Sequence, residues 1–160
     1  MPKLINFTDV NPISKKENIS ILKEIDSTIK RKDFILGNAV KKFERQFSKL
    51  AKIKYSVGCA SGTDALIIAL MALNLKKNDQ VIVPGMSYIS TALSVILNNN
   101  QLVFADIDVN TGLISIDNVI QKINNKTKAV IPVNLYGQKV DLKRLRKAIN
   151  VIPCKGLFIF

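Results

Sequence analysis

The sequence predicts a three-layer α/β/α domain with a mostly parallel sheet, preceded by a helical segment. Three observations lead there. Apolar positions switch repeatedly between short continuous runs and helical spacing along most of the 160 residues. The short runs, of which VIV at 81–83 is the clearest, lack polar alternation, as do strands buried on both faces. The stretches joining runs to helices are short, and strand–helix alternation with short connections gives parallel strands covered by helices.

The elements follow in order. Residues 19–29 and 40–51 read as amphipathic helices separated by Gly37, the second showing Phe43, Phe47 and Leu50 at the i, i+4, i+7 spacing of one face. Residues 55–59 read as a short strand, and the helix after it is apolar on every side from Ala65 to Leu73. A helix apolar all round is buried all round. In a chain of this size that implies cover from further chain or from a partner subunit. Residues 76–79 make a polar turn into a strand at 80–84. Residues 89–97 are helical, with Ile89, Leu93, Ile96 and Leu97 on one side, and the asparagines at 98–100 break the helix. Then come a strand at 102–107, a helix at 116–123, a strand at 129–133, a helix at 142–149 and a final strand at 156–160.

Composition narrows the functional classes. An apolar content of 48% supports a core, and no apolar run reaches the eighteen or so residues of a membrane span. The start MPKLINFTDVNP lacks the apolar centre and cleavage site of a secretory signal, so a cytoplasmic protein is expected. Cys59 and Cys154 lie far apart, and with no histidine in the chain neither a zinc site nor a histidine base is expected. The net charge of +12 suggests a polyanion partner until it is mapped. It is concentrated on the flanks: residues 1–55 carry 13 basic and 6 acidic side chains and residues 121–160 nine and one, against two and five between them. Nucleic-acid binding calls for basic residues interleaved with aromatics, and only ten aromatics are present. A non-catalytic basic module that binds nucleic acid or an acidic partner is therefore the competing class, discriminated by steep salt-dependent binding.

In sheets of this kind ligands bind where loops leave the carboxyl ends of strands. The first such loop is GCASGTD, 58–64. Ser61 is a good N-cap, and Asp64 three residues later completes a capping box in its S-x-x-D form. The free N–H groups and dipole of a helix start favour an anion, Gly62 admits close approach, and Thr63 adds a hydroxyl donor. Taken alone, this stretch serves helix capping and phosphate binding equally. The second loop lies in VIVPGMSYISTALSVI, 81–96, where Tyr88 stands at a helix mouth on the same sheet edge. Its ring suits stacking on a planar heteroaromatic ligand, and read in isolation it also suits a core tyrosine. An anion seat beside a stacking ring points to a planar phosphorylated cofactor.

From Phe34 to Ala148 the chain resembles the N-terminal part of the DegT/StrS-type sugar aminotransferases, pyridoxal-phosphate enzymes of the aspartate aminotransferase fold. The resemblance rests on LGNAVKKFERQF, GCASGTDALIIALMAL, NDQVIVPGMSYISTALSVI, LVFADIDVNTGLISIDNVIQKINNKTKAVIPVNLYGQ and VDLKRLRKA. It implies that residues 55–160 are part of the large, cofactor-binding domain and that 1–54 form an N-terminal helical segment. It further implies that Gly62, Thr63 and Asp64 seat the phosphate of pyridoxal 5′-phosphate, with Ser61 starting the turn, and that Tyr88 stacks on the pyridine ring. Asn134 stands where the family often has histidine in P-V-H-L-Y-G, which leaves that position's role open.

The reaction the resemblance implies is transfer of an amino group, from glutamate, to a keto sugar on a nucleotide, in a homodimer. Such chemistry needs a carboxylate on the pyridine nitrogen and a lysine that bonds to the cofactor and moves a proton. In the family these lie in an E-D-x-A-Q segment and some tens of residues later, and neither is found among these 160 residues. Lys155 precedes the final strand, at the edge opposite the ligand loops, so no catalytic residue is assigned. The stretch at 150–156 fits the family poorly. Relatives with histidine at the lysine position dehydrate sugars instead, which makes a dehydratase the alternative within the family.

Overall fold

The computed structural model describes residues 13–150 and the strand residues 158–159. The chain divides into two compact units, the first ending at Gly58 and the second beginning at Cys59.

The first unit holds α1 (Lys15–Arg31) and α2 (Asn38–Ala51). Helix α1 starts at a full capping box: the Ser14 N–H donates to Glu17 Oε2 at 2.8 Å, and the Glu17 N–H donates to Ser14 Oγ at 3.3 Å. The Ser14 hydroxyl, which donates to Glu17 Oε2 at 2.6 Å, and then the Ser14 N–H hold the Glu17 carboxyl below the usual carboxylate range. Gly37 is the N-cap of α2, and it must be glycine for a steric reason, since a Cβ there would run into the side chain and carbonyl of Asp33. Neither helix has a buried residue, so Phe43 and Phe47 remain largely exposed.

The strand expected at 55–59 is not formed. Polar groups of this segment are taken by α2 instead of a ladder: the Gly58 N–H donates to Glu44 Oε1 at 2.8 Å, and the Ser56 hydroxyl donates to the Glu44 carbonyl. Apolar content predicts an extended backbone here, but a strand also needs a neighbour to pair with.

The second unit is the α/β/α sandwich the sequence predicts. Its elements are α3 (Gly62–Ala72), β1 (Gln80–Pro84), α4 (Ser90–Leu97), β2 (Gln101–Ala105), α5 (Ile116–Lys122), β3 (Thr127–Val130), α6 (Leu142–Asn150) and β4 (Phe158–Ile159). The four strands are all parallel, in the order β2-β1-β3-β4. Alternation in β1 divides the core. Val81 and Val83 point to one face with Leu70 of α3 and Val95 of α4, while Ile82 points to the other with Val119 of α5 and Leu145 of α6. Beyond Ala105 the chain continues into a single antiparallel bridge between Ile107 and Ile114.

Two helices depart from their expected burial. In α3 only Leu70 is buried, and Met71 on the outer side is 62% exposed. In α4 the buried face is Ser90, Thr91, Ser94 and Val95, whereas the apolar stripe of Ile89, Leu93, Ile96 and Leu97 faces outward. Helix α4 packs beside α3, where Asn98 Nδ2 donates to the Ile67 carbonyl at 3.2 Å, and on its buried face Ser94 Oγ donates to the Thr91 carbonyl at 2.9 Å. The outer sides of α3 and α4 thus form an apolar surface that no other described element of this unit covers. Among those residues no helix is long and apolar enough to cross a membrane.

Candidate functional site

The strand order sets where a ligand can bind. From β1 the chain crosses to β2 on one side, and from β3 it crosses to β4 on the other. A crevice therefore opens between the carboxyl ends of β1 and β3, the switch point of an open parallel sheet. Two loops border it, 85–89 after β1 and 131–141 after β3. Helix α3 feeds β1 from the amino end of the sheet and packs beside α4, so its own N-terminus lies toward the same carboxyl edge.

At that N-terminus Ser61 is the N-cap, with its hydroxyl accepting the Asp64 N–H at 3.1 Å. The reciprocal half of the expected capping box differs. Asp64 Oδ2 accepts from the Ser61 hydroxyl at 2.8 Å, and no bond to the Ser61 N–H forms. Aspartate is one methylene shorter than the glutamate of α1, whose carboxylate does reach its cap N–H. The Ala65 N–H is bonded to the Ser61 carbonyl at 3.0 Å. That leaves the N–H groups of Gly62 and Thr63 as the open donors of the first turn. Space lies in front of them, since a Cβ built on Gly62 meets nothing within 4 Å. Cys59, just upstream, is exposed, with its thiol 3.5 Å from the Ser61 carbonyl.

Tyr88 precedes α4, whose N-terminus has no side-chain cap. The tyrosine is 75% exposed, so it is not a core residue. Ser87 and Thr91 exchange a hydroxyl bond at 2.9 Å across the start of the helix, and the Gly85 N–H donates to the Ala105 carbonyl at 2.8 Å, which ties the loop to β2. Ser61, Gly62, Thr63, Asp64 and Tyr88 thus all lie toward one sheet edge within one unit.

The loop after β3 carries features that the sequence left open. Asn134 Oδ1 accepts the Val140 N–H at 2.9 Å, which closes a seven-residue loop onto itself. Leu135 packs against the α5/α6 core, and Gln138 Nε2 donates to the Thr111 carbonyl at 2.9 Å. Between these anchors Tyr136 has left-handed backbone angles, φ 51° and ψ 32°. The run P-V-x-L-Y-G marks this loop, but residue types alone give no sign that its tyrosine is left-handed.

Asp108, after β2, is bound within its own turn. Its Oδ1 accepts the N–H groups of Thr111 and Asn110, both at 3.0 Å, and the Thr111 hydroxyl at 3.1 Å. Those bonds hold its carboxyl below the usual range, the Thr111 N–H contributing most. Among the described residues no group of three or more histidines, cysteines, aspartates and glutamates could hold a metal ion.

The chain is similar to known proteins along most of its length. The model of the DegT/DnrJ/EryC1/StrS aminotransferase family matches residues 15–152. The chain is 34% identical over 152 residues to the dTDP-3-amino-3,6-dideoxy-alpha-D-galactopyranose transaminase of Aneurinibacillus thermoaerophilus, covering 95% of this chain and 41% of that protein. It is 38% identical over 156 residues to the UDP-2-acetamido-2-deoxy-3-oxo-D-glucuronate aminotransferase of Pseudomonas aeruginosa, with the same coverage of 95% and 41%. Among solved structures it superposes on the E. coli GDP-4-keto-6-deoxy-D-mannose-3-dehydratase with bound hydrated PLP at a TM-score of 0.77 and 33% identity, over 86% of this chain and 37% of that one. The chain spans about two fifths of the length of the curated relatives it matches.

Proposed function

Because the chain belongs to the DegT/DnrJ/EryC1/StrS aminotransferase family, we propose that it holds pyridoxal 5′-phosphate at the carboxyl edge of its sheet and serves amino transfer to a keto sugar on a nucleotide. One observation carries the cofactor reading: two open N–H groups at the mouth of α3 lie toward the same edge as an exposed tyrosine. The N–H groups of Gly62 and Thr63, the Thr63 hydroxyl and the positive end of the helix would hold the phosphate. Ser61 fixes the turn, with Asp64 bound to it, and the Tyr88 ring would cover one face of the pyridine. When bound, the group supplies an electron sink for proton removal next to nitrogen. The chain's own part, through these five residues, is binding and orientation. The amino donor in this reading is glutamate, and the protein works in the cytoplasm.

The test is spectroscopic titration of the chain with pyridoxal 5′-phosphate. Wild type is expected to bind saturably. Tyr88→Ala, which leaves the core intact, is expected to weaken binding about ten-fold through lost stacking and contact area. An unchanged affinity in Tyr88→Ala would remove the cofactor site from this loop.

The same reading makes the protein a homodimer. The support is the apolar surface of α3 and α4, where Ile96 is 55% exposed. Ile96→Lys is expected to shift the sedimentation profile toward monomer without lowering the melting temperature of the monomer. A wild-type chain that sediments as a monomer at all concentrations would refute the dimer.

A further inference from the structure

Among the described residues, non-glycine residues with positive φ fall into groups with evident causes, apart from two. Lys32 and Lys52 are helix C-caps, and Asn74, Asn78 and Asn99 are the residue type that tolerates the left-handed region best. Leu36, in the first unit, and Tyr136 remain. A tyrosine in this conformation carries backbone strain, because its Cβ crowds the following carbonyl. The strain at Tyr136 is enforced by the Asn134–Val140 bond, by Leu135 in the core and by the Gln138–Thr111 bond. Yet the side chain so held is 89% exposed, and burial of its ring offsets nothing.

Its place in the fold suggests what it meets. Ile82 of β1 pairs with Val130 of β3. Tyr88 lies six residues beyond the first and Tyr136 six beyond the second, so each of the two loops that border the switch-point crevice carries a tyrosine. Tyr88 is assigned to a planar ring. An aromatic side chain on the other loop, with an apolar face and a hydroxyl at its tip, suits a ligand ring that is apolar on one face and hydroxylated at its rim. A pyranose has that character. We propose that Tyr136 is a sugar-recognition residue: its ring packs on the sugar of a nucleotide-linked substrate, and Asn134 positions the loop that carries it. This rests on the functional reading above and names the loop that meets the sugar.

The test uses the full chain, with UDP-N-acetylglucosamine and UDP as probes. The chain has three tyrosines and no tryptophan, so ring-labelled tyrosine gives three NMR signals that single phenylalanine variants assign. The Tyr136 signal is expected to shift saturably with UDP-N-acetylglucosamine and much less with UDP. Tyr136→Asn removes the ring and puts in place the residue the chain uses at three other left-handed positions. It is expected to weaken UDP-N-acetylglucosamine binding roughly three- to ten-fold, to leave the affinity for pyridoxal 5′-phosphate unchanged, and to keep or raise the melting temperature. A structural role would give the opposite pair, with lower stability and unchanged binding. Equal shifts with both probes, a shift that follows protein concentration, or an unaltered affinity in the variant would each overturn the assignment. If wild type binds UDP-N-acetylglucosamine through Tyr136 but not pyridoxal 5′-phosphate, the cofactor reading fails and this assignment stands. If only the cofactor binds, the reverse holds.

Discussion

Replacing Ile82 by alanine is expected to lower the stability of the second unit by about 2–5 kcal/mol. Ile82 is fully buried at the middle of β1, the strand paired on both sides. It lies in one core cluster with Val130, Val119 and Leu145, carried by β3, α5 and α6. Strands held by ladders on both flanks cannot close in to fill the space that three lost carbons leave, so the cavity cost adds to the lost transfer energy. Urea unfolding followed by circular dichroism reads the change as a lower midpoint at similar slope. Val109→Ala, at a position 92% exposed, is the control and should stay within about 0.5 kcal/mol of wild type. A loss below about 1 kcal/mol at Ile82 would mean that the two-sided core is looser than the buried contacts imply.

The same strand shows why part of the fold was legible in the sequence. A strand covered on both faces has no polar alternation, and the VIV run marks it so plainly that the expected bounds at 80–84 coincide with the observed Gln80–Pro84. Residues 55–59 read as strand-like but find no ladder, because pairing is a property of the neighbour as well as of the segment. For α4 the apolar stripe was legible and its direction was not. Periodicity tells which residues share a face, while the face of α4 that is buried is the one with Ser90, Thr91 and Ser94, whose polarity gives no sign of burial. Ser61 to Asp64 stood out as a helix start and Tyr88 through its place after the strand at 80–84, while the strand expected ahead of Ser61 is absent. Tyr136 in its left-handed conformation did not. Its strain is imposed by Asn134, Leu135 and Gln138 acting together, and no single residue type encodes that.

Placing a carboxylate in the mouth of α3 should separate the two meanings of that sequence. Thr63→Glu puts an acidic side chain in the first turn, where the helix dipole favours it by about 0.3–1 kcal/mol, so the folded chain should be as stable as wild type or slightly more so. Binding of pyridoxal 5′-phosphate should respond in the opposite sense. Like charges about 4 Å apart near a surface repel by roughly 4 kcal/mol, and the phosphate brings up to two of them, so affinity is expected to fall at least about 100-fold. Thr63→Gln is the companion variant, of similar size without the charge. It loses the hydroxyl donor alone and is expected to cost only about two- to ten-fold, the worth of one hydrogen bond. Raising the salt concentration should recover part of the glutamate variant's loss and little of the glutamine variant's, because only the first is a Coulomb effect. If both variants lose affinity equally and without salt dependence, the side chain blocks a path and the charge is irrelevant. If Thr63→Glu keeps wild-type affinity, the open N–H groups of Gly62 and Thr63 are not where the phosphate sits, and Ser61 to Asp64 do no more than start a helix. A more stable protein that no longer binds its anion is the outcome that only an anion seat produces, since a residue that merely caps has no reason to set stability and binding against each other.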